Sequence, residues 1–137
     1  YLRNEQETDG SWFGRWGVNY IYGTGLILPA LNSVGVDMQS PWVKKAADWL
    51  VSVQHEDGGW GESCATYMNP SLKGQGKTTP SQTGWALMGL LAMEDHSYDQ
   101  AILHGCRRFL ARCANILRLC GSSCCCESFA RRYRKLQ

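Results

Sequence analysis

Two strings of the same design, Gln6-Glu7-Thr8-Asp9-Gly10-Ser11-Trp12 and Gln54-His55-Glu56-Asp57-Gly58-Gly59-Trp60, start 48 residues apart. Both read Gln-x-x-x-Gly-x-Trp with Asp before the Gly. A repeat of this length fits one pair of helices with its loops, the unit of helical-repeat and toroidal folds. The residue types suggest a fastener. Gln at a helix end can satisfy orphan backbone groups. Gly10 and Gly58 permit a turn with positive φ, and Trp12 and Trp60 supply large faces to bury, expected beside their Gln amides. Gln6, Gly10, Trp12, Gln54, Gly58 and Trp60 are therefore read as structural residues.

The segments between the strings read as helices. Ser40 is placed to cap and Pro41 to open a helix. Trp42, Val43, Ala46, Ala47, Leu50 and Val53 follow at helical spacing, and Asp57-Gly58-Gly59 breaks the pattern. Thr79-Pro80 opens a helix apolar nearly all round, as a helix buried on every side would be. Another starts near Tyr98, with Ile102, Cys106, Phe109, Leu110 and Cys113 on one stripe. The stretch from Gly17 to Ser33 is only partly helical by this reading, because Gly23, Gly25 and Pro29 oppose a uniform helix. Segments 34–39 and 62–78 read as loops.

Charge divides the chain. Residues 1–104 carry a net −5 and residues 105–137 a net +7, and six of the seven Cys lie in the second part. Two compositions so different argue for two segments: a domain over 1–110 and a divergent Cys- and Arg-rich tail over 111–137, out of frame or disordered. Paired Cys-x-x-Cys spacing is missing from Cys124-Cys125-Cys126, which argues against a zinc site. Cys106, Cys113 and Cys120 recur every seven residues and share one helical face. Basic residues beside Cys also fit surface palmitoylation. The chain does not begin with Met, which suggests a fragment. Its longest apolar run, Leu87 to Met93, is too short to span a membrane.

The repeated strings resemble the QW repeats of triterpene cyclases. Asp9-Gly10-Ser11-Trp12-Phe13-Gly14-Arg15-Trp16-Gly17-Val18-Asn19-Tyr20-Ile21-Tyr22-Gly23-Thr24-Gly25 is similar to the C-terminal half of squalene–hopene cyclases. So are Asp57-Gly58-Gly59-Trp60-Gly61-Glu62 and Thr79-Pro80-Ser81-Gln82-Thr83-Gly84-Trp85-Ala86-Leu87. The resemblance covers residues 1–103 and implies an all-α fold, part of an α/α toroid (α/α barrel) built from antiparallel helix pairs. It implies cyclisation of squalene by a proton-initiated carbocation cascade, in which aromatic faces stabilise cations through their ring quadrupoles. Neither a metal nor an organic cofactor is implied. Trp16 matches a cavity-lining Trp of the family, and Tyr22 a Tyr near the catalytic acid.

That acid lies in an Asp-x-Asp-Asp motif, and no such motif occurs here. No catalytic residue is therefore assigned in this chain, which is expected to be inactive alone. For the parent enzyme the resemblance implies squalene as partner, peripheral association with the cytoplasmic face of the membrane, and no nucleic acid; a homodimer also fits. Two alternatives stay open. One is a non-catalytic remnant. The other is a different α/α toroid such as a prenyltransferase β-subunit, which would need Asp, Cys and His zinc ligands on its barrel helices.

Overall fold

The computed structural model describes residues 1–120, with residues 115–120 as backbone alone. The tail from residue 121 onward, with its Cys124-Cys125-Cys126 run, lies outside the described residues. The described residues are helical and contain no strand. Four helices follow one another: α1 Asn19–Ser33, α2 Pro41–Ser52, α3 Pro80–Leu91 and α4 Asp99–Cys120.

α1 and α3 form an inner layer. They run parallel: Glu62, whose backbone amide is bonded by Gln82 of α3, reaches the amides at the start of α1, and Asn32 near the end of α1 donates to the Ala92 carbonyl just past α3 (2.6 Å). Their backbones come close at two glycines. A Cβ on Gly25 would lie 2.4 Å from the Trp85 carbonyl oxygen, and one on Gly89 would lie 3.0 Å from the Gly25 Cα. This explains the first departure from the sequence reading. The glycines that weaken α1 locally let it press against α3, and burial of Tyr20, Ile21, Leu28 and Leu31 outweighs propensity. Pro29 sits inside the helix.

α2 and α4 lie outside, each with one apolar side. α2 buries Val43, Ala46, Ala47, Trp49 and Leu50, while α4 buries Ile102 and Cys106. Lys44, Lys45 and Asp48 of α2 remain outside that buried set. Two local expectations are corrected. Ser40 stands at the N-cap of α2 but makes no capping bond; its hydroxyl donates to Asp37 Oδ2 (3.2 Å), which draws it off the helix end. The 62–78 connection carries two short 3₁₀ turns, Cys64–Tyr67 and Pro70–Leu72, because Ser63 and Asn69 side chains accept backbone amides there. By contrast Thr79 caps α3, accepting from the Gln82 amide (3.2 Å). α3 is also less enclosed than its composition implies. Met88 and Leu91 are about half exposed, since among the described helices α1, α2 and α4 cover its other sides only.

The charged groups that tie the loops set the pH range of the fold. Burial alone would raise Asp9, but hydrogen bonds from the Ser11 hydroxyl and amide and the nearby Lys73 ammonium bring its pKa below the ordinary value. Asp57 is likewise lowered against burial by the Gly59 amide, Thr78 and Arg108. Asp95 is lowered by the amide and hydroxyl of Ser97 and by Lys44. Groups depressed on folding stabilise above their unfolded pKa and lose that contribution as pH falls. Tyr98 moves the other way: burial and its hydrogen bond to Asp48 (2.9 Å) raise the phenol. Its contribution is complete below the unfolded pKa and is lost as pH rises through the folded one. The melting midpoint is therefore expected to fall below about pH 4 and above about pH 10. Asp9→Asn should flatten the acid limb and Tyr98→Phe the alkaline limb. Calorimetry across pH with unchanged limbs in both variants would refute this assignment.

Candidate functional site

The two Gln-to-Trp strings fold into the same device. Gln6 Nε2 donates to the Gly10 carbonyl (2.9 Å) and to the Trp42 carbonyl in the first turn of α2 (2.8 Å). Gln54 Nε2 donates to the Gly58 carbonyl (2.8 Å) and to the Ala101 carbonyl in the first turn of α4 (2.9 Å). Each Gln thus closes its own turn and fastens that turn to the next outer helix. Gly10 and Gly58 adopt φ of +100° and +84°. A Cβ there would lie 2.6 Å from the Lys45 carbonyl oxygen or 2.7 Å from that of His104, so both conformation and space require glycine.

Trp12 and Trp60 are almost wholly buried. Their indole N–H groups donate to the Leu2 carbonyl (2.8 Å) and the Leu50 carbonyl (2.7 Å). Their backbone amides donate to Thr24 of α1 (3.0 Å) and Thr83 of α3 (3.1 Å). Trp12 also meets Trp42 edge-on, with ring centroids 6.2 Å apart. Each string therefore links an inner helix to an outer one.

Three links that sequence reasoning missed lie in the 62–78 connection. Glu62, 4% exposed, accepts from the Asn19 and Ile21 amides at the start of α1 (3.1 and 3.0 Å) and from the Gly74 amide (3.4 Å). Val18, at the N-cap of α1, has no side-chain oxygen to offer, so this distant carboxylate serves the orphan amides. Lys73 reaches the first string: its ammonium lies 3.0 Å from Asp9 Oδ2, 3.2 Å from Ser11 Oγ and 4.2 Å above the centre of the Tyr20 ring. Tyr67 donates to the Gly17 carbonyl (2.8 Å).

The candidate cavity residues stand on one end of the inner layer. Trp16 lies in the turn before α1 and is 79% exposed. Tyr22 is half-buried in the first turns of α1 and packs edge-on against Trp85 of α3, with centroids 4.9 Å apart. Phe13 meets both Tyr20 and Tyr67 edge-on at 5.6 Å. Trp85, Met88 and Leu91 continue the apolar stripe along α3. Trp16 and Tyr22 are joined through Gly17, where a Cβ would lie 2.8 Å from the Tyr22 ring. Chemically, the arrangement offers polarisable aromatic faces of the kind that attract positive charge. Among the described residues, no group of three or more His, Cys, Asp or Glu side chains comes together in a way that could hold a metal ion.

Paired helices, fastened by a repeated Gln–Gly–Trp device, define this as a piece of a helical toroid. The chain belongs to the squalene–hopene cyclase C-terminal-domain family, which it matches over residues 1–115, beyond the quoted strings and well into α4. It is 55% identical over 93 residues to a probable squalene–hopene cyclase of Sinorhizobium fredii, covering 67% of this chain and 14% of that protein. It is 58% identical over 92 residues to the squalene–hopene cyclase of Alicyclobacillus acidocaldarius, covering 67% and 15%. The dammaradiene synthase of Dryopteris crassirhizoma is 49% identical over 124 residues, covering 81% and 18%. The chain thus spans less than a fifth of the length of these relatives.

Proposed function

We propose that this segment forms part of the cavity wall of a triterpene cyclase that converts squalene to hopene-type products. A carboxylic acid elsewhere in the enzyme protonates a terminal alkene. Each cation is attacked by the π electrons of the next double bond, forming a C–C bond and moving the charge along, until loss of a proton ends the cascade. Trp16 and Tyr22 face the moving charge. The observation that carries this reading is an exposed Trp16 in a turn whose Gly17 backbone lies against the Tyr22 ring, which itself packs on Trp85. Squalene, a hydrocarbon, partitions into the bilayer, which supports a peripheral enzyme at the cytoplasmic face of the membrane; a homodimer of it belongs to the same proposal. No helix of the described residues is long and apolar enough to cross a membrane.

The isolated 137-residue chain should cyclise no squalene. It lacks the Asp-x-Asp-Asp acid, and alkene protonation needs a strong acid in a dry cavity. In a full-length cyclase containing this segment, Trp16→Ala should lower turnover roughly 2- to 30-fold, the equivalent of about 0.5–2 kcal/mol of cation stabilisation. It should also release prematurely quenched products. Trp12→Ala should lower the melting midpoint and leave the product pattern intact. Product analysis by gas chromatography decides. Hopene-type product from the isolated chain, or an unchanged rate and pattern in Trp16→Ala, would overturn the corresponding part of the proposal.

A further inference from the structure

The indole of Trp16 is 79% exposed, so its own burial does not place it. Its position follows from the backbone of the turn between Phe13 and Val18. That turn is pinned at two points. At its start, the Gly14 amide donates to Asn19 Oδ1 (3.1 Å). At its end, the Gly17 carbonyl, next in sequence to Trp16, accepts from the Tyr67 hydroxyl (2.8 Å). Gly17 has a φ of +69°, a conformation that turns the chain sharply there.

Tyr67 comes from a separate part of the chain, fifty residues on, and it is well supported. The 3₁₀ turn Cys64–Tyr67 is closed by the Ser63 side chain accepting the Ala65 amide (3.2 Å) and by the buried Thr66 hydroxyl donating to the Ser63 carbonyl (2.8 Å). The Tyr67 ring meets the Phe13 ring edge-on at 5.6 Å. One side chain therefore touches both ends of the turn: ring against Phe13, hydroxyl on Gly17. Burial and the neighbouring Cys64, Glu62 and Tyr22 raise its pKa, so the phenol keeps its donor proton at neutral pH.

We propose that Tyr67 is a positioning residue that sets where the Trp16 indole stands on the inner face. The catalytic consequence rests on the cavity reading above; the positional one does not. Two experiments separate them. In the full 137-residue chain labelled with 5-fluorotryptophan, six fluorine lines are expected, and Trp16→Phe identifies the line of Trp16. Tyr67→Phe keeps the ring against Phe13 and removes only the donor. It should shift or split the Trp16 line while those of Trp12 and Trp60 stay in place, and Tyr67→Leu should do so further. An unmoved Trp16 line in Tyr67→Phe, or a common movement of all six, would overturn the proposal. In a full-length cyclase containing the segment, Tyr67→Phe should lower kcat about tenfold with KM held, since small misplacements of a catalytic wall act on the chemical step. If Trp16→Ala lowers activity there and Tyr67→Phe does not, the catalytic consequence of positioning falls. If Trp16→Ala is itself silent, the cavity reading falls, and the fluorine spectrum still decides the role of Tyr67.

Discussion

Trp60→Ala is expected to lower the stability of the chain by about 3–5 kcal/mol, the usual range for removing a fully buried large aromatic. Three helices meet at this residue, two of them, α2 and α4, on its side chain. Its indole N–H donates to the Leu50 carbonyl in α2 at 2.7 Å. Its backbone amide donates to Thr83 Oγ1 of α3 at 3.1 Å, and its carbonyl accepts from the Thr79 amide at the cap of α3 at 3.0 Å. On the α4 side Gly105 lies so close that a Cβ there would sit 2.6 Å from the indole Cζ3. Truncation would leave a cavity between elements that cannot close on it without shifting, together with a carbonyl that has lost its donor. A domain of this size has about 5–15 kcal/mol in all, so a loss of about 3–5 kcal/mol would be roughly a fifth of it or more. Trp60→Phe should cost less, keeping most of the volume and losing the hydrogen bond. Urea unfolding measures both. A loss below about 1 kcal/mol in Trp60→Ala would mean that the second string is not a fastener.

What was legible in the sequence was whatever is decided locally. Ser40-Pro41 and Thr79-Pro80 mark the starts of α2 and α3 within a residue, because proline at the first helical position is a short-range preference. Tertiary packing was not legible. α1 reads as broken because Gly23, Gly25 and Pro29 oppose a helix in isolation, and only the close approach to α3 shows why glycine is wanted. The Gln residues were read as helix-end partners. Their carbonyl acceptors at Trp42 and Ala101 lie 36 and 47 residues away, beyond any local pattern. Trp16 and Tyr22 entered only through resemblance, since nothing about an isolated aromatic tells a cavity wall from a core. Glu62 and Tyr67 were passed over for a similar reason: each acts on backbone groups 41 to 50 residues away. One signal did point to Glu62. α1 begins after Val18, which cannot cap, and its first amides had to be satisfied by something distant.

That role makes Glu62→Ala the second large expected effect, about 3 kcal/mol of lost stability. Three backbone amides, those of Asn19, Ile21 and Gly74, point at its carboxylate. Leaving a buried donor unpaired costs about 1–3 kcal/mol each, and an anion at a helix N-terminus adds about 0.3–2 kcal/mol. Against this stands the desolvation of the carboxylate itself, which its removal relieves. Water entering the space also re-satisfies some amides, so the net falls well short of the sum. Glu62→Gln tests the balance. It preserves shape and one acceptor oxygen but presents an amide donor to groups that are themselves donors, and its loss should lie between wild type and Glu62→Ala. The effect should also be local. Hydrogen exchange at the Asn19 and Ile21 amides should speed up in both variants before exchange rises in α2, because the carboxylate bonds the start of α1 and the Gly74 amide but no amide of α2. That start follows directly on the turn bearing Trp16, so the same substitution should loosen the aromatic face while the outer helices persist. Unchanged protection at those two amides, or a stability loss below about 1 kcal/mol in Glu62→Ala, would show that the start of α1 is held by something other than this carboxylate.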